Sequence, residues 1–177
     1  VEADVNNLAD GIYPVAFERG DVLSGTSGTY MNAVRLYARD WYDIVDVNTL
    51  NVGDTVIVGD EPIEVQSIEE DDAGWITINA GQDSEFALAP EEDSNGYAVR
   101  LLDDLTTYSE LGMTTLVVDP AVVYTDSSDI EGETVTAGYD TFVAAMMDSA
   151  NDYFVPYNAE VRIEGGKVVE INRVYVP

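Results

Sequence analysis

YNAEVRIEGGKVVEINRVY, Tyr157–Tyr175, is the stretch whose reading decides the fold. Two runs rich in β-branched residues, Ala159–Ile163 and Lys167–Tyr175, flank Gly165–Gly166, which is the wording of a β-hairpin. A two-residue turn at Gly165–Gly166 pairs Val161 with Glu170 and mixes charge into an apolar face. A three-residue loop, Glu164–Gly166, pairs Ile163 with Lys167, Val161 with Val169 and Ala159 with Ile171. That register gathers the aliphatics on one side and sends Glu160, Arg162, Glu170 and Asn172 outward. Because a one-residue slip turns every side chain to the other face, the pattern favours the second register, with Gly166 left-handed.

The same alternation of strand and turn runs through most of the chain. Gly11–Glu18, Thr29–Val47, Thr55–Val58, Ile63–Ile68, Trp75–Asn79, Glu85–Ala89, Tyr97–Leu102, Thr114–Val118 and Ala121–Thr125 read as strands. Turn-rich clusters separate them at Asp21–Gly28, Gly59–Pro62, Glu69–Gly74 and Pro90–Gly96. Short strands at this spacing predict an α+β, mainly β protein with an antiparallel barrel-like or sandwich core. Tyr139–Ala150 breaks the pattern: Phe142, Val143, Met146 and Met147 recur at helical spacing. Thr136 or Gly138 is placed to cap that helix, and Asp140 suits its positive end. The expectation is one domain over residues 1–177, with a possible division into a β core (10–125) and a helix plus hairpin (126–177).

Composition removes whole classes of function. Thirty-five acidic side chains face seven basic ones, a net charge of −28, and the chain holds neither histidine nor cysteine. Such a surface repels phosphate backbones and anionic lipid, so nucleic acid is excluded as a partner and cations or basic surfaces are favoured. Without cysteine there is no disulfide framework and no zinc–sulfur site, and without histidine the usual general base is missing. No apolar run approaches the length of a membrane span. The chain opens on Val1 rather than methionine, which suits a mature form whose signal peptide or lipid-accepting cysteine lay upstream. Freedom from cysteine suits export, although the cytoplasm of a halophile would carry the same acid excess.

The tail quoted above and LNVGDTVIV, Leu50–Val58, together resemble the extracytoplasmic domains of uncharacterised bacterial lipoproteins, especially those of gut anaerobes. The resemblance implies an exported, cell-surface location and carries no activity or site residues.

Three kinds of site can be weighed from residue types. Arg35, Tyr37, Arg39 and Trp41 alternate onto one face of an extended Thr29–Val47 strand, giving a ladder of cations and aromatics fit for a protein or carbohydrate ligand. The structural reading of the same ladder is a set of outward cross-strand pairs neutralised by nearby acids. Calcium suits carboxylates: Glu91, Asp93, Asn95 and Gly96 occupy positions 1, 3, 5 and 6 of an EF-hand-like loop, but Leu102 stands where the bidentate glutamate belongs. A hairpin turn with asparagine–glycine chemistry accounts for that loop as well. Asp126 and Asp129 open a second oxygen cluster before the helix, with Glu131 and Glu133. A pair of carboxylates could also hydrolyse a glycoside, but no pair can be nominated among thirty-five. Gly25–Gly28 lacks the ending and following helix of a phosphate loop. Trp75 reads as a core or rim anchor. The balance favours a non-catalytic extracytoplasmic binding or scaffold module, with a calcium-dependent adhesion module and a small glycoside hydrolase as alternatives. No cofactor is expected other than calcium.

Overall fold

The computed structural model describes residues 4–25, 28–129, 131–148 and 154–175. In chain order the first strands are β1 (Gly11–Ala16), β2 (Val22–Gly25) and β3 (Gly28–Arg39). Then come β4 (Trp41–Asp43), α1 (Ile44–Asn48), β5 (Thr55–Val58), β6 (Glu61–Glu64), β7 (Ile68–Glu70), β8 (Ile76–Ile78), β9 (Phe86–Glu91) and β10 (Gly96–Arg100). The last are β11 (Tyr108–Ser127), β12 (Val135–Ala137), α2 (Tyr139–Met147), β13 (Ala159–Glu164) and β14 (Lys167–Val174). The protein is therefore mainly β, as the strand-and-turn pattern predicts. It divides into two compact units, Val1–Ala38 with Glu110–Pro177, and Arg39–Ser109.

In the first unit the strand order is β12-β11-β14-β13-β1-β3-β2, and β11 also pairs with β3. The strands β11, β14, β13, β1 and β3 thus form a closed ring, with β12 and β2 attached to it as outer strands. The pairings of β1 with β13 and β3, and of β13 with β14, are antiparallel, whereas β11 and β14 run parallel. Inward residues such as Val15, Val34, Leu36, Val118, Val161, Ile163 and Ile171 are fully or almost fully buried with Phe142 and Met146 of α2. Each such side chain contributes about 1.5–3 kcal/mol by leaving water.

The terminal hairpin forms, but in neither register that the alternation offered. Gly165 and Gly166, at φ 55° and 76°, make a two-residue turn, with Glu164 opposite Lys167 and Ile163 opposite Val168. Val161 nevertheless pairs with Ile171, because the register shifts between Arg162 and Ile163 and leaves Val169 as a bulge. The extra residue restores the apolar phase that the tight turn alone would lose, so Val168 and then Ile171 point inward. It also turns Arg173 inward, where its guanidinium lies 4.7 Å from the Phe154 ring centre and 3.7 Å from Asp126.

Three other expectations are corrected. The helix starts at Tyr139 behind Gly138, with Asp140 in its first turn, but Met147 is 77% exposed; only Phe142 and Met146, four residues apart, are buried on it. The predicted end at Ala150 lies outside the described residues. Thr29–Val47 is not one strand: β3 stops at Arg39, and the Asp43 carboxylate accepts the Val45 N–H at 2.7 Å and caps α1. Thr114–Val118 and Ala121–Thr125 are one strand, β11, with a register break between Val118 and Val123 where Pro120 cannot donate to the ladder.

The second unit holds an antiparallel sheet of order β4-β10-β9-β8-β7, the hairpin β5-β6 and α1. Its core is Val47, Val56, Val58, Val65, Ile76, Ile78, Phe86, Leu88 and Val99. Ile63–Ile68, read as one strand, is split because Asn79 intervenes. Buried at φ 56°, Asn79 accepts the Gln66 and Ser67 N–H groups at 2.7 and 3.3 Å, and donates to Glu64 O and Ser84 Oγ. Among the described residues no helix is long and apolar enough to cross a membrane.

Candidate ligand-binding face

Pairing register sorts the sheet of the second unit into two faces, since cross-strand partners share a face. Val99, Leu88 and Ile76 are mutual partners and lie in the core. The adjacent row, Trp41 opposite Ala98 opposite Ala89, therefore faces the other way, as do Ala87 and its partner Thr77. Trp75, two residues before Thr77, continues this outer face and lines a groove of about 310 Å³ with Thr77, Glu85, Ala87, Leu102 and Asp104. Both tryptophans of the chain thus belong to one sheet face, 37% and 39% exposed.

A buried acid sets the strand that carries Trp41. Asp40 continues the β4 ladder by accepting the Val99 N–H at 3.1 Å, and it points inward. Its carboxylate accepts from Gly59 N at 2.7 Å, Thr107 Oγ1 at 2.5 Å and Ser109 Oγ at 2.5 Å. A buried carboxylate is tolerated only when so satisfied. With Asp40 inward, Arg39 and Trp41 on either side of it turn outward together.

On that face Arg39 makes a two-pronged ion pair with Glu91, at 2.7 Å (Nη1–Oε1) and 2.9 Å (Nη2–Oε2). Glu91 Oε2 also accepts from Ser94 Oγ at 3.0 Å, and Ser94 Oγ accepts from Trp41 Nε1 at 3.2 Å. Arg39 precedes Trp41 by two residues and Glu91 follows Ala89 by two, so the ion pair crosses the row of Ala98 and Ala89. Small side chains there leave room for the guanidinium. Gly96 does the same for the indole: a Cβ on it would collide with the Trp41 ring. Burial tends to raise the Glu91 carboxyl, but hydrogen bonds from Arg39 and Ser94 and the charges of Arg39 and Arg100 outweigh that and hold it below the ordinary value.

Part of the predicted set shares one network in the second unit. Arg39, Trp41 and Glu91 share one network, although Glu91 was nominated for calcium. Arg35 and Tyr37 belong to the first unit, where Arg35 lies 3.4 Å from Glu110. Asp93 and Asn95 occupy the β9–β10 hairpin turn, Asn95 at φ 53°. Asp126 and Asp129 belong to the first unit; Asp126 takes bonds from Tyr124 and Ser128, and Asp129 takes the Glu131 N–H at 3.1 Å. Among the described residues no three acidic side chains converge on a point that could hold a metal ion. Sequence reasoning missed Asp40 and Ser94; it read Gly96 as part of a calcium-type loop and Trp75 as a core or rim anchor. The alternation of Arg39 and Trp41 gave a signal for the first, because the residue between two outward side chains must turn inward.

No family model, curated protein or solved structure matches the chain.

Proposed function

We propose that this protein is a non-catalytic binding module working outside the cytoplasm, and that the outer sheet face of its second unit holds the ligand. The observation that carries this reading is the placement of both tryptophans on that face, with the Arg39–Glu91–Ser94 network between the strands that bear them. Large aromatics and arginine are the side chains that dominate binding surfaces, the aromatics because they bury much area at small cost in flexibility and arginine because its planar fork makes several directed hydrogen bonds. Holding suits this face better than turnover. The groove beside Trp75 has two carboxylates, but Asp104 is exposed and ion-paired with Arg100, and Glu85 accepts the Gly81 N–H at 2.5 Å. An acid catalyst needs a carboxyl that desolvation keeps protonated. Freedom from cysteine and the resemblance of Leu50–Val58 and Tyr157–Tyr175 to lipoprotein ectodomains support the location.

The test is capture from panels of glycans, cell-wall fragments and proteins by the wild type and by an Arg39→Ala/Trp41→Ala/Trp75→Ala variant. Circular dichroism confirms that both are folded. The proposal expects a ligand that the triple variant loses. Capture that survives all three changes would move the site elsewhere, and cleavage of the captured glycan would replace a binding module with an enzyme.

A further inference from the structure

The geometry points to an uncharged oligosaccharide as the ligand, lying across the strands from Trp41 to Trp75; this deepens the reading of the face as a binding surface and rests on it. The strand order β4-β10-β9-β8 puts three strand spacings, roughly 14 Å, between the backbones at Trp41 and Trp75, a span suited to a short sugar chain rather than to one ring. The C–H face of a pyranose stacks on an indole, and two partly exposed indoles on one sheet face offer that contact twice. Trp41 is ready for it. Gly96 leaves room for one side of its ring, and Ser94 accepts from its Nε1. A platform already fixed loses little freedom on binding.

Between the indoles the polar groups suit hydroxyls. Arg39 offers donors, Glu91 acceptors and Ser94 both, so a sugar hydroxyl can join the network without leaving a partner unpaired. Charge selects against acidic sugars. The unit's two basic residues, Arg39 and Arg100, are held by Glu91 and Asp104, within a strongly acidic chain. A basic peptide would be drawn to acidic surface generally and would have no special need of the paired tryptophans.

The experiment is calorimetric titration of the full chain with neutral oligosaccharides (gluco-, manno-, xylo- and galacto-configured) and with an oligolysine peptide, at about 50 mM and about 500 mM salt. The expected result is binding of a neutral oligosaccharide with affinity unchanged by salt. Trp41→Ala and Trp75→Ala should each weaken it by about tenfold, while Trp41→Phe keeps most of it. Tryptophan-dependent binding of oligolysine alone, lost at high salt, would overturn the sugar and leave the binding face standing. Failure of every probe to bind in a tryptophan-dependent way would overturn both.

Discussion

Asn79 and Asp126 show what a single polar side chain does once the chain has closed around it. Asn79 bonds four groups from two segments, Glu64–Ser67 and Ser84, and holds a left-handed backbone, so Asn79→Ala should cost about 3 kcal/mol of unfolding free energy in urea. Asn79→Gly, which keeps the backbone angle, should cost less. Equal losses would assign the whole effect to the hydrogen bonds. Asp126 reports on pH. Burial tends to raise its carboxyl, but the Ser128 and Tyr124 hydroxyls, the Ser128 N–H and Arg173 outweigh that and hold it below the ordinary value. A depressed value adds stability that is present above the ordinary carboxylate range, near 4, and is lost as pH falls through the folded value. Asp126→Asn should therefore lower stability at neutral pH and flatten its acid-side decline; a variant parallel to wild type from neutral to acid pH would contradict this. Neither residue was legible in the sequence. Asn79 sat at the end of a predicted strand and Asp126 in an acidic loop, and neither the Glu64–Ser67 partners of the one nor the Arg173 partner of the other is a sequence neighbour.

Elements were legible where the pattern is local, and failed where one residue breaks it. Thr55–Val58 matches its strand to the residue, and α2 starts where Tyr139 begins the helical spacing. The terminal hairpin was legible as a hairpin, but its register turned on Val169, because a bulge leaves no mark in a run of aliphatics. The two-glycine turn yields a test. Gly165 lies at φ 55°, which asparagine adopts readily, and Gly166 at φ 76°. Gly165→Asn should leave the melting temperature unchanged or raise it, while Gly166→Val should destabilise by about 1–2 kcal/mol through strain alone, since nothing lies within 4 Å of its added Cβ. Equal effects at both positions would refute the tight-turn geometry. The Arg39–Trp41 half of the candidate site was readable from alternation. Its other half was not: only the order β4-β10-β9-β8 brings Trp75 onto the same face.

For the whole molecule, a net charge of −28 opposes compaction. Adding about 0.5 M sodium chloride should raise the melting temperature by screening that repulsion. Calcium chloride at equal ionic strength should add no more than this if screening is the cause; a larger rise with calcium would reveal a bound cation. The same acid excess was the clearest global message in the sequence, and it narrowed the partners without choosing one. The choice rests on two aromatic rings sharing a face. Acrylamide quenching of tryptophan fluorescence tests that most directly, because Trp41 and Trp75 are the chain's two tryptophans. With ligand bound, Trp41→Phe and Trp75→Phe proteins should each show their remaining indole shielded from acrylamide. A saturating ligand that leaves either indole as open to quencher as before would contradict the account.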